Sequence, residues 1–343
     1  MKNISNPEKY RKRGNVMKKI NLIVALLLLF AVPSLAQAKM EKLVLAGPKS
    51  SVTHPMTYMI EAGLLKDVAE EVELIIWDNP DQLRSLIAGG QAHFSAVPSY
   101  VAATFYNKGV PVKLLNISTW GILWVVSSDP KVKTISDLKG EEVSMPYRND
   151  MPDLVFKSLA LKQKLDPAKD FKLTYRTNLP TVVQDVLSGK VKHGLLAEPL
   201  VSVALMKSAK MEGKTPKLYR SISLQEEWGK VYNREARISQ AGIAATPKIT
   251  GNPEVVEAFQ KAYKTAIDWC NENPKEAGKI VAKHISGLKA KPVAVAIQNA
   301  ELKFVSAQDA RSEIEHFYSV LKEMNPAKIG GKLPGDDFYW SGE

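Results

Sequence analysis

The sequence predicts an α/β protein of two lobes, each a mostly parallel sheet flanked by helices. Three observations lead there. Short apolar runs alternate with helical periodicity from residue 40 onward, and the alternation restarts past Asp129-Pro130. The roughly 305 residues that follow a targeting-like N-terminal segment also exceed one comfortable core.

The elements follow in order. Leu43 to Ala46 reads as a strand and Gly47 to His54 as a loop, after which Pro55 suits the first turn of a helix running toward Lys66. Val72 to Trp77 is a second strand; Asp78 or Asn79 caps a helix from Pro80 to Gly89-Gly90. His93 to Val97 is a third strand, with Ser99 capping the next helix, and Lys113 to Thr119 and Ile122 to Ser127 are further strands. The second cycle reads as a short helix at Ser136, a strand over Glu142–Met145 and a helix over Pro152–Lys164. A strand at Phe171–Arg176, a helix at Pro180–Ser188, a strand at His193–Ala197 and a helix at Pro199–Ser208 complete it. A strand at Gly242–Ala245 then precedes long helices at Pro253–Glu272, Pro274–His284 and Asp309–Met324. The Gly- and Pro-rich end from Asn325 is expected to wrap the surface. Leu83 to Gly89 and Val183 to Gly189 share one helix-ending pattern, and His93 and His193 open the strands that follow. This 100-residue echo supports two lobes on one plan.

The N-terminus reads as a secretory signal. Met17-Lys18-Lys19 precedes Leu22 to Val32, eleven residues with no polar side chain, and Ala36-Gln37-Ala38 supplies a cleavage site before Lys39. Eleven helical residues rise only about 16 Å, against a hydrocarbon core of roughly 30 Å, so a membrane anchor is disfavoured. No cysteine lies near the site, which excludes a lipid anchor there. Residues 1–38 are thus expected to be removed, leaving an unlipidated periplasmic protein.

That segment carries seven Lys/Arg and one acidic residue, leaving 40 basic against 35 acidic of the 47 and 36 in the whole chain. The remaining lysines are scattered, without the concentrated basic face that nucleic-acid binding needs. Cys270 is the only cysteine and should be a buried, inert position on a helix; no Cys/His spacing points to a metal. No nucleophile elbow, zinc-hydrolase, phosphate-loop or dinucleotide fingerprint occurs, so neither catalytic residues nor a cofactor are expected.

In open α/β sheets ligands bind beyond the carboxyl ends of the strands, near helix N-termini. Applied here, the rule selects Ser51, Thr53 and His54 after the first strand, Asp78 after the second, and Ser99 and Tyr100 after the third. In the second lobe it selects Tyr147, Arg148, Asn149 and Glu198; Trp120 lies where the lobes should meet and offers a stacking wall. Each has a plainer reading. Ser99, Asp78 and Ser136 also suit N-caps, and Trp120 suits the core. Arg148 suits an ion pair with Asp150 or Asp153, yet its planar guanidinium also fits a carboxylate, a sulfonate or a ring oxygen.

The chain resembles the nitrate/sulfonate/taurine type of ABC-transporter substrate-binding proteins. The carriers are Glu61-Ala62-Gly63-Leu64, Leu86 to Gly89, Gly109-Val110-Pro111-Val112-Lys113, Ile135 to Gly140, Ala197-Glu198-Pro199 and Ile329 to Pro334. His93 and His193 stand where that family usually has Asp. The resemblance implies the type II periplasmic binding fold, a small-molecule ligand, a membrane permease as partner and a monomeric, non-enzymatic protein. It leaves two alternatives: an enzyme of the same fold, akin to a pyrimidine synthase or a menaquinone-pathway enzyme, or a ligand-presenting partner of a membrane sensor. The lobes are expected at 39–128 with 240–343, and at 129–239, hinged near Ser127–Pro130 and Tyr232–Gln240.

Overall fold

The computed structural model describes residues 39–342; the expected signal segment lies outside the described residues. Among the described residues, eleven strands form two sheets. The first contains β1 (Met40–Gly47), β2 (Ala69–Ile76), β3 (Phe94–Pro98), β4 (Lys113–Thr119), β10 (Ala241–Ala245) and β11 (Leu302–Ser306), in the order β11-β4-β10-β3-β1-β2. The second contains β5 (Leu123–Ser127), β6 (Glu142–Pro146), β7 (Lys172–Arg176), β8 (His193–Ala197) and β9 (Tyr219–Ser223), in the order β7-β6-β8-β5-β9.

The internal echo is visible here. Strands β2-β1-β3 of the first sheet and β7-β6-β8 of the second follow the same order, and each trio is joined by an antiparallel fourth strand, β10 or β5. That fourth strand comes from the other side of the crossing: β5 follows β4 directly, and β10 follows the second lobe. Only two connections therefore join the lobes, at Trp120–Ile122 and at residues 233–240. The boundary expected at residue 128 moves accordingly, because Leu123–Ser127 pairs with β8 and β9 rather than with the first sheet. An apolar run carries no sign of which sheet it will join; partner register decides that.

Helices cover both sheets: α1 (His54–Glu61), α2 (Pro80–Ala88), α3 (Ser99–Asn107), α4 (Met151–Lys162), α5 (Leu179–Leu187), α6 (Leu200–Lys210), α7 (Leu224–Tyr232), α8 (Pro253–Glu272), α9 (Pro274–His284), α10 (Ala290–Asn299) and α11 (Arg311–Met324). α8 and α9 have the boundaries the periodicity predicts. β9, α7, α10 and β11 were not predicted; they are short, and their alternation is too brief to register. One cap is as expected and two differ. Asn79 caps α2, accepting the N–H groups of Asp81 and Gln82. Pro98, not Ser99, sits at the N-cap of α3, and Thr134 rather than Ser136 forms a capping box with Asp137.

Burial follows the pattern of the sequence. Val52, Met56, Phe94, Phe259 and Tyr263 pack under the first sheet, with Phe94 and Phe259 stacked at 4.0 Å. Trp77 is core, its indole N–H donating to Ser95 Oγ at 3.3 Å. Cys270 is fully buried on α8, and burial pushes its thiol up to about 12. The C-terminal stretch does wrap the first lobe: Thr104 Oγ1 and Asn107 Nδ2 donate to the carbonyls of Lys328 and Ile329, and Trp340 Nε1 donates to Glu257 at 2.8 Å.

Candidate ligand cleft

The parallel strands set the location. Strands β1, β3 and β4 end at Gly47, Pro98 and Thr119, on one edge of the first sheet; β6, β8 and β9 end at Pro146, Ala197 and Ser223, on one edge of the second. Both interlobe connections leave from these edges. The loops of both lobes and the first turns of α1, α3, α5, α6 and α7 lie along them.

In the first lobe the β1–α1 turn is tight. Thr53 Oγ1 donates to the Pro48 carbonyl at 2.6 Å, and its side chain lies so close to Gly47 that no β-carbon would fit there. Thr53 thus holds the turn. Ser51 and His54 are fully buried, and Ser51 Oγ and both ring nitrogens of His54 find no partner among the described residues. Burial without a partner drives the imidazole down to about 3, so it is neutral at physiological pH. His93 and His193 differ. They lie at the opposite ends of their strands, where His93 Nδ1 accepts the Val44 N–H at 2.9 Å and His193 Nδ1 meets Ser127 Oγ at 2.9 Å. They are structural pins, which is why a histidine serves there.

Tyr100 and the β6–α4 loop meet across the lobes. Tyr100, in the first turn of α3, donates its hydroxyl to Asp150 Oδ1 at 3.1 Å, and Lys328 from the C-terminal wrap pairs with the same oxygen at 3.2 Å. Asp150 also caps α4. Tyr147 and Asn149 hold positive φ angles of 52° and 57°, which turn the loop back on itself; Asn149 N–H donates to Asp153 Oδ2 at 2.8 Å. Arg148 is exposed. It pairs with neither Asp150 nor Asp153, since Tyr100 and Lys328 engage the first and Lys157 the second at 2.8 Å. Its guanidinium lies 5.3 Å over the Tyr175 ring.

Four candidates are otherwise occupied. Ser99 Oγ donates to the Ser239 carbonyl at 2.5 Å, tying α3 to the second connection. Asp78 is exposed, with Lys49 3.6 Å away. Glu198 is buried, but its carboxylate is committed to Arg220 at 2.6 Å and to the backbone and hydroxyl of Ser202. Trp120 is 1% exposed; its N–H donates to the Lys303 carbonyl at 2.8 Å and Arg237 covers its ring at 4.5 Å. It is the packed pin of the first connection rather than an open wall.

The edge also holds residues that strand-end reasoning passes over. Thr119 Oγ1, Ser239 Oγ, Gln240 Nε2 and both amide atoms of Gln225 are buried without a partner among the described residues. Ser239 and Gln240 precede β10, which runs antiparallel, so its beginning rather than its end lies on this edge. Gln225 opens α7, the unpredicted helix. Buried polar groups are nearly always paired, so a set left unpaired on two facing edges points to a ligand or ordered water. Among the described residues no cluster of His, Cys, Asp and Glu is arranged to hold a metal.

Two lobes joined by two short connections, with polar helix N-termini on the facing edges, define a solute-binding protein fold. The chain belongs to the phosphonate-type periplasmic substrate-binding proteins of ABC transporters, whose family model matches residues 49–263. Among solved structures it is similar to an ABC transporter protein from Parabacteroides distasonis, at 22% identity and TM-score 0.74 over 88% of this chain and 99% of that one. It is also similar to the periplasmic aliphatic sulphonate binding protein SsuA of Escherichia coli (14% identity, TM-score 0.67, 88% and 92% covered). The nitrate-binding protein NrtA of Synechocystis PCC 6803 matches with 14% identity and TM-score 0.59, covering 87% and 83%. A search of curated proteins returned no match. No helix among the described residues is long and apolar enough to cross a membrane.

Proposed function

We propose that this chain is the exported solute-binding component of an ABC importer, catching a small organic molecule between its lobes and delivering it to the permease. One observation carries the reading: the facing edges hold buried polar groups from both lobes with no partner among the described residues, beside the two connections that join the lobes. The hinge runs through Trp120–Ile122 and residues 233–240, and closing it brings both edges onto one ligand. Ser51, His54, Thr119, Ser239 and Gln240 would serve from the first lobe, and Gln225, Tyr147 and Arg148 from the second. His54 is neutral and Glu198 is neutralised, so Arg148 supplies the formal charge for a carboxylate or sulfonate, while the amide and hydroxyl groups suit a polar heterocycle.

The test is affinity. Once a thermal-shift screen of sulfonates, carboxylates and heterocycles has identified a binder, Arg148→Ala should weaken it at least tenfold, about 1.4 kcal/mol or more. Unchanged affinity would remove Arg148 from the site, leaving the cleft to its uncharged groups.

A further inference from the structure

A groove of about 720 Å³ lies between the lobes, beside the cleft. One wall is α6 of the second lobe with the start of α5; the other is Gly287–Val293 of the first lobe, the segment that leads into α10. α6 begins on the cleft edge and ends away from it, so the groove runs from the cleft outward along that helix. Its walls are apolar: Val183, Leu200, Val203 and Met206 face Leu288 and Val293. Lys207 and Lys210, in the last turn of α6, and Lys289 and Lys291, at the start of α10, also line it, and the lining contains no acidic residue.

Some surface lysines of this chain are spent on carboxylates and others are not. Lys190, Lys192 and Lys283 have carboxylates within reach, at 3.8, 3.5 and 2.8 Å. The four at the groove have no ion-pair partner among the described residues. Like charges gathered around an apolar trough repel one another and leave hydrocarbon wet, and an anion with an apolar body relieves both. The volume falls in the range of small-molecule sites, and the concave shape favours a single chain over a flat bilayer surface.

We propose that this groove binds a free amphiphilic anion, its hydrocarbon chain along α6 between Leu200 and Met206 and its carboxylate or sulfonate at Lys207 and Lys210. The site adjoins the cleft at the first turns of α5 and α6, but its charged anchors, Lys207 and Lys210, lie at the far end of α6 and do not depend on the ligand proposed in the cleft. Since its walls come from both lobes, an occupant stabilises this arrangement of the lobes over any other.

Decanoate, kept below its micellar concentration, is the probe, with 1-decanol as the uncharged control. Calorimetric titration of the whole protein should give saturable binding at one site, with decanol at least tenfold weaker. Met206→Glu should weaken decanoate at least tenfold, and Lys207→Glu with Lys210→Glu should do likewise while abolishing the dependence on salt. Should Met206→Glu fail to fold, Val203→Trp fills the groove without adding charge and should block binding equally. Non-saturable binding, or affinity unmoved by these variants, overturns the proposal. So does binding to phosphatidylglycerol vesicles without binding of monomeric decanoate, which would make the groove a membrane contact. A loss in Arg148→Ala as large as in Met206→Glu would put the chain in the cleft and overturn the separate site.

Discussion

At the residue scale, the charges along the cleft edges are mostly spent internally. Glu198 holds Arg220, Asp150 holds Tyr100 and Lys328, and Asp153 holds Lys157. Apart from Arg148, what remains is neutral, and His54 shows the cost of keeping it so. Folded, its imidazole resists protonation down to about 3; unfolded, it takes a proton near 6.5. Between these values the unfolded chain binds the extra proton, so this residue's contribution is fully present above about pH 6.5 and lost as pH falls toward 3, at about 1.4 kcal/mol per unit. Urea unfolding at pH 7 and pH 5 should therefore show wild type losing about 2 kcal/mol more than His54→Gln. Equal losses would mean that His54 is protonated, or solvated, in the folded protein. His93 is shifted the same way by burial and adds to the slope in both proteins. At this scale the sequence was half legible. The residues selected from the sequence include Ser51, His54, Tyr100 and Arg148, which lie along the cleft edges, but also Glu198 and Trp120, because a partner 22 or 183 residues away in sequence leaves no local mark.

At the scale of elements, the parallel core of each lobe was readable because buried strands are continuous apolar runs and long helices repeat every 3.6 residues. The antiparallel fourth strands were not readable as such. β10 is Ala-Gly-Ile-Ala-Ala, and its small residues mark a position pressed between β3 and β4. Gly242 is the tightest point: a β-carbon there would overlap the Asn116 carbonyl oxygen. Backbone cannot yield as a flexible side chain does, so Gly242→Ala should cost about 3 kcal/mol or more in denaturant unfolding. A loss under about 1 kcal/mol would show that β10 shifts to admit a methyl group, and that the register beside the second connection is loose. A rule that looks past the last residue of each strand misses Ser239 and Gln240, because they precede an antiparallel strand whose beginning lies on the cleft edge.

For the whole molecule, the two-lobed plan was visible in the 100-residue echo, while the crossing points depended on pairings that only the folded chain defines. Those pairings make the proposed hinge short: Trp120–Ile122 and residues 233–240, pinned by Trp120, Arg237 and Gln240, whose side-chain oxygen accepts the Ile122 N–H at 3.0 Å. Tyr100, Asp150 and Lys328 meet across the lobes in the arrangement described, and we take this as the closed state. Small-angle scattering with and without a saturating cleft ligand tests that claim most directly. The account predicts a ligand-free radius of gyration larger than that of the closed arrangement, falling to it as the ligand saturates, with Arg148→Ala needing at least tenfold more ligand for the same compaction. Tight binding with no change in the radius of gyration would contradict capture by hinge closure.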